Sequence, residues 1–195
     1  MRCMLIFVIS AVSLACAVPP QSENQILATF FSYVETIRGI QIHNMMVLTT
    51  NFVQGVVDSV PVEDRGPDTA TLQAYANKGK SLRLRGTTGE KYMYSSELKQ
   101  VFEGLKLSEW TPETEVPGMS LFGLLDLSDK FAYHDKKLHK QFVDAATLMK
   151  AKLTLATIAR ESELFNAIDE YIAAADASAL REPLFLKVFS FKDRY

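Results

Sequence analysis

From Ile26 to Val60 only Glu35, Arg38 and Asp58 carry a formal charge. Apolar residues recur through this stretch at helical spacing, first Phe30, Val34 and Ile37, then Met45, Leu48, Phe52 and Val56. Phe31, Ile42, Met46 and Val53 widen the apolar arc well beyond one stripe. A helix that is apolar on most sides is buried on most sides. The stretch therefore predicts a central helix with others packed around it, bent at Gly39 or Gly55. Ser22, with Gln25 at the third position after it, marks its start as a capping box.

The residues ahead of this helix have a different character. Arg2 precedes an apolar run from Met4 to Val12, and Ala15-Cys16-Ala17 comes next. A basic start, a short apolar run and small residues at alternate positions read as a cleaved secretory signal over residues 1–17. The run is short for a bilayer span, which needs about 20 apolar residues. Cleavage after Ala17 removes Cys3 and Cys16, so Val18 to Tyr195 is expected outside the cell with no thiol. A bacterial lipoprotein acylated at Cys16 is the alternative, with Ser13 where that signal wants Leu or Val. Stability without disulfides must come from a hydrophobic core. The 48% apolar content supplies one, and a chain of 195 residues suits a single domain. A net charge of −2 gives no strong field toward nucleic acid or anionic membrane.

Pro61 to Asp68 reads as a loop, leading to a helix with Leu72, Tyr75, Ala76, Gly79 and Leu82 on one face. Leu82-Arg83-Leu84-Arg85 and Tyr92-Met93-Tyr94 alternate at period two across Gly86-Thr87-Thr88-Gly89, which leaves a small β-hairpin open. Tyr94, Leu98, Val101, Phe102 and Leu105 mark a third helix. Lys106 to Met119 is expected to be irregular, with Ser120 or Ser128 capping the next helix. One apolar stripe then runs from Phe131 through Leu138, Phe142, Ala145 and Met149 to Ala156. A second, through Leu164, Ile168, Tyr171 and Ala175, is displaced by roughly 80°. The displacement predicts a bend or a fresh helix near Arg160 to Ser162. Pro183 to Phe191 is either a last short helix or an alternating strand. The sum is an all-α chain: one helical bundle of five or six helices over residues 18–195.

No catalytic constellation emerges. His134 and His139 are five apart, about 140° around a helix, whereas helical zinc pairs are three or four apart. Asp135 and His139 have the right spacing but no third ligand, and read as a surface pair. His43, among apolar neighbours, reads as a hydrogen-bonded core or edge histidine, with Glu35 on another face. Ser120 lies near a nucleophile-elbow pattern that lacks its second glycine, and phosphate-loop or dinucleotide motifs are absent. No cofactor or metal is called for.

The remaining signal is the apolar surplus. Phe30, Phe31, Met45, Met46, Phe52 and Phe142 are large, adaptable side chains of the kind that line an apolar ligand cavity, and equally of the kind that fill a core. Lys78, Lys80, Arg83, Arg85 and Lys91 form one basic cluster, and Lys136, Lys137, Lys140 and Lys150 another. Either suits a sulfated glycan or a solvated helix face, and the apolar–basic tail from Leu184 suits a membrane surface or the bundle itself. The expectation is a secreted, non-enzymatic protein carrying a lipid or other small apolar molecule between helices. The alternative is an extracellular helical signalling or structural protein, contacting a protein or anionic glycan through Lys136, Lys137 and Lys140.

Overall fold

The computed structural model describes residues 21–107, 109–175 and 178–195. The expected signal over residues 1–17, with both cysteines, lies outside them. Among the described residues the chain is all-helical, with eight α-helices, two 3-10 turns and no strand. The eight segments exceed the five or six expected, because a short helix over 112–120 occupies a stretch read as irregular and a break at 151–154 divides a stretch read as one continuous helix.

Helix α1 (Glu23–Ser59) runs unbroken for 37 residues, about 55 Å at 1.5 Å per residue. Its start is the expected capping box: Ser22 Oγ accepts from Gln25 N at 3.2 Å, and Gln25 Oε1 accepts from Ser22 N at 2.9 Å. Its end is closed from outside. Arg65 folds back, donating from Nε to the Val60 carbonyl at 3.1 Å and from Nη2 to the Val57 carbonyl at 3.2 Å. A cation on the last carbonyls also meets the negative end of the helix dipole.

Helix α2 (Pro67–Arg85) and helix α3 (Thr88–Glu103) absorb the segment whose alternation allows a hairpin. Residues 82–85 are the last turn of α2, and only Gly86-Thr87 separates it from α3. The deciding chemistry is Thr87-Thr88-Gly89-Glu90. Thr87 Oγ1 accepts from Glu90 N at 3.3 Å while Glu90 Oε2 accepts from Thr87 N at 2.7 Å, a second capping box. Arg83 and Arg85 alternate with leucines because a helix's last turn favours cations, not because the chain is extended.

The stretch expected to be irregular holds helix α4 (Pro112–Ser120), with Thr111 as its cap and Pro112 at its first position. Ser120 is the last residue of α4, donating to the Pro117 carbonyl at 2.7 Å, and Ser128 lies inside the next helix. Neither starts a helix as expected. Helix α4 also caps α2: Glu113 Oε1 accepts from Gly66 N at 2.8 Å and Thr69 N at 2.7 Å. A Cβ on Gly66 would stand 2.4 Å from Glu113 Oε2, so glycine is needed for the carboxylate to reach the backbone. Burial alone would raise the Glu113 carboxyl, but hydrogen bonds from Thr69, Gly66 and Asp68 leave it below the usual glutamate value. A pKa lowered by folding contributes stability that is present above the unfolded pKa and lost as pH falls through the folded one. Glu113→Gln is therefore expected to cost about 1 kcal/mol near neutrality, and the gap to the parent should close on acidification. Urea midpoints at pH 7 and pH 3 check both statements.

Helix α5 (Gly123–Lys150) packs along α1 in the opposite direction. Gly123 meets Phe52, Phe131 shares a cleft with Met45, Phe142 touches Phe30 at 5.5 Å between ring centroids, and Met149 faces Ile26. The two long helices thus form an antiparallel spine. Helices α2, α3 and α4 flank one end, around Met46, Val53, Leu72, Tyr94 and Phe102. Helix α6 (Leu155–Arg160), helix α7 (Ser162–Ala173) and helix α8 (Ser178–Phe189) flank the other, around Phe31, Phe142, Phe165, Tyr171 and Val188. The break expected near Arg160 to Ser162 is the junction of α6 and α7 at Glu161. A second break at residues 151–154 ends the Phe131 stripe at Met149, leaving Ala156 exposed. The tail is helical rather than extended. Among the described residues no helix is long and apolar enough to cross a membrane.

Candidate functional site

The apolar residues singled out in the sequence do not meet in one cavity. Phe31, Met46 and Phe142 are buried at 1%, 0% and 0% exposure, and they are divided between the two cores. Phe52 packs against Phe102 at 5.9 Å and blocks the space beside Gly123. Only Phe30 and Met45 reach clefts, and the clefts differ. Phe30 edges an apolar groove of about 340 Å³ between the start of α1 and the end of α5, with Ile26, Tyr33, Leu148 and Met149. Met45 edges a second cleft of about 340 Å³ at the middle of the spine, where the flanking groups approach each other.

The central cleft combines apolar walls with buried charge. Met45 of α1, Phe131 and Leu138 of α5, and Phe185 of α8 supply hydrocarbon, while Tyr92 of α3 and Tyr171 of α7 add rings. Into the same space come Arg38, Asp135, Arg181 and Glu182. Arg38 grips Glu182 with Nη2, which stands 2.6 and 2.5 Å from the two carboxylate oxygens, and Nη1 donates to Gln41 Oε1 at 2.5 Å. Its guanidinium also lies 5.3 Å from the Phe185 ring centroid and 5.8 Å from that of Tyr92, within cation–π range.

Arg181 is held differently. Its side chain is 6% exposed, and Nη1 lies 2.9 Å from Asp135 Oδ2. That contact is off the hydrogen-bonding direction, and neither Nη1 nor Nε has a hydrogen-bond partner among the described residues. A buried donor left without an acceptor costs about 1–3 kcal/mol, and more when charged. Beside it, burial raises the Tyr171 phenol above its ordinary value, and the Asp135 and Glu182 charges add to the shift. The phenol therefore stays protonated at neutral pH.

The titratable residues weighed in the sequence go elsewhere. His139 is buried rather than on the surface, with Nε2 3.1 Å from the Tyr171 carbonyl, and Asp135 pairs with Arg181 instead of with His139. His43 is held below the usual histidine pKa by burial and by Lys91 and Arg83, while Glu35 turns to Lys192 at 2.7 Å. Lys136, Lys137 and Lys140 are exposed on α5, and Lys140 pairs with Asp144 at 2.7 Å. Lys150 pairs with Asp169 at 2.5 Å. No cluster of metal-ligating side chains occurs among the described residues. Sequence reasoning missed the four charges of the cleft. Arg38 carried a usable signal as one of very few charges on an otherwise apolar helix, but its partner lies 144 residues away.

The chain matches no protein-family model, no curated protein and no solved structure.

Proposed function

We propose that the protein binds a small, largely apolar molecule in the cleft at the middle of the spine and performs no chemistry on it. The observation that carries this reading is a cleft of about 340 Å³ walled by Met45, Phe131, Leu138 and Phe185, with the Arg38–Glu182 ion pair on its lining. Ligand sites are typically concave spaces of about 300–1,000 Å³, mostly apolar, with a few placed polar groups. In this arrangement hydrocarbon burial supplies the driving force, at about 25 cal/mol per Å² removed from water. The polar end of the molecule fixes its orientation. The reading extends to export through a signal over residues 1–17 and to one disulfide-free bundle, both of which rest on the sequence.

The test uses the full chain expressed in cells that secrete it, with N-phenyl-1-naphthylamine as an apolar fluorescent probe. Ala132 is an exposed residue lining the cleft. Ala132→Trp is expected to fill the cleft and weaken dye binding at least tenfold, with unchanged helicity by circular dichroism. Equal dye binding by parent and variant, or no dye binding by either, sinks the reading.

A further inference from the structure

The basic cluster at the turn between α2 and α3 has no part in the cleft. Between residues 78 and 97 the cations Lys78, Lys80, Arg83, Arg85 and Lys91 stand against two carboxylates, a local surplus of three in a chain whose net charge is −2. Both carboxylates are engaged: Glu90 closes the cap at Thr87, and Glu97 pairs with Lys78 at 2.6 Å. The turn rests on the middle of α1, where a Cβ on Gly39 would stand 3.8 Å from Thr88 Oγ1. Arg83 and Lys91 come from different helices yet act on the same point of α1: after burial, their two charges are what lower the His43 pKa. His43 is two residues from both Gln41 and Met45, about 160° around the helix from each, so the cluster is turned away from the cleft and from α8. Helix preference explains only part of it. A last turn favours cations, which accounts for Arg83 and Arg85, but Lys91 sits in the first turn of α3, where a cation is disfavoured. Nor does it account for Leu84, which stands between the arginines at 83% exposure, or for Met93 at 55%.

We infer that the α2–α3 turn docks on an anionic lipid bilayer, with Arg83, Arg85 and Lys91 at the level of the phosphates and Leu84 and Met93 at the edge of the acyl chains. Charge and hydrocarbon together choose this occupant. Lipid phosphates answer the cations, each of which is worth about a fivefold gain in partitioning near such a surface. A sulfated glycan answers the charges equally well but leaves Leu84 in water. The bilayer interface takes an apolar side chain and a cation side by side, because the long arms of Arg and Lys keep their heads in the polar layer while their stems lie along hydrocarbon. Docking of this kind requires no cargo, so its failure would leave the reading of the cleft untouched.

The test floats the protein, secreted from the full chain, with vesicles of phosphatidylcholine alone or with about 30 mol% phosphatidylglycerol, at about 0.1 M salt. The anionic vesicles are expected to bind at least tenfold more tightly, and about 0.5 M salt, which screens charges beyond a few ångströms, should remove most of the gain. Replacing Arg83, Arg85 and Lys91 together by Gln should weaken binding about a hundredfold, three fivefold steps, with helicity unchanged by circular dichroism. Leu84→Ser should weaken it about tenfold, since a leucine then no longer leaves water on docking. Replacing Lys136 and Lys137 by Gln, two exposed cations on α5, should change it less than threefold. Equal binding to the two kinds of vesicle, or binding to neither, overturns the inference. If Leu84→Ser binds as the parent does, the cluster attracts anions without entering a bilayer and the inference falls. A loss from the α5 pair as large as that from the triple substitution places the contact elsewhere and overturns it too. Leu84 is so exposed that its substitution leaves the fold intact, and with the lipid and salt comparisons it decides the matter even if the triple variant does not fold.

Discussion

Phe142→Ala is expected to lower stability by about 3–5 kcal/mol, the range for removing a buried aromatic side chain. The ring is fully buried at the centre of an edge-to-face cluster, 5.5 Å from Phe30, 4.4 Å from Tyr171 and 6.4 Å from Phe185. Each of those rings belongs to a different helix, so the space left by truncation cannot be closed by one side chain turning. Against a typical total stability of about 5–15 kcal/mol, such a loss is a third or more of the whole for many proteins. Urea unfolding monitored by circular dichroism measures it. Phe142→Leu, which retains most of the volume, should cost much less. A loss under 1 kcal/mol for the alanine variant would show that Phe142 is not at the centre of a packed core. Tyr171 and Phe185 also form part of the cleft wall, so the variant should lose dye affinity along with stability.

At the other end of the spine, Gly79→Ala is expected to destabilise by about 2 kcal/mol net. Helix α2 crosses α1 and α3 here without a side chain between them. A Cβ on Gly79 would stand 2.2 Å from Thr50 Oγ1, 2.4 Å from the Tyr94 hydroxyl oxygen and 2.6 Å from Tyr94 Cζ. None of these can yield easily. Tyr94 is fully buried, its ring stacks on Tyr75 at 4.3 Å, and its hydroxyl donates to the Tyr75 carbonyl at 3.3 Å while accepting from Thr50 at 3.2 Å. The Tyr75 hydroxyl returns a bond to the Tyr94 carbonyl, closing a reciprocal clasp. Overpacking a well-filled core costs about 1–3 kcal/mol or more, and the helix gain of alanine over glycine, about 1 kcal/mol, offsets part of it. Gly55 provides the control, since a Cβ there meets nothing within 4 Å. Gly55→Ala should be neutral or stabilising in the same urea series. Equal effects at the two positions would mean that Gly79 is not a crossing point.

Local pattern made the helical class and much of its layout readable. Helix α1 was legible because its apolar arc is long and its start carries a capping box, and both signals are local. The α6–α7 junction was legible for a similar reason, as a change of phase in one stripe. The hairpin alternative arose because four residues at the end of α2 and three at Tyr92–Tyr94 alternate, spans too short to separate a helix from a strand. Thr87 and Glu90 held the answer. Helix α4 was masked by Pro112 and Pro117, although Thr111-Pro112 is a helix-start signal as much as a loop signal. The site was far less legible. Hydrophobicity marks Phe31, Met46 and Phe142 as buried but does not say whether they enclose a space or fill one. The cleft's charges come from α1, α5 and α8, brought together by packing with no spacing rule to announce them.

The placement of the cleft has a consequence for how such a protein changes over generations. The residues that close the two ends are interior and interlocked, whereas Met45, Tyr92, Ser128 and Ala132 at the mouth are not buried. Substitutions at partly solvated positions usually shift stability by only about half a kcal/mol. Descendants can therefore reshape and recharge the mouth of the cleft, through viable intermediates, while the spine and its flanks are inherited unaltered.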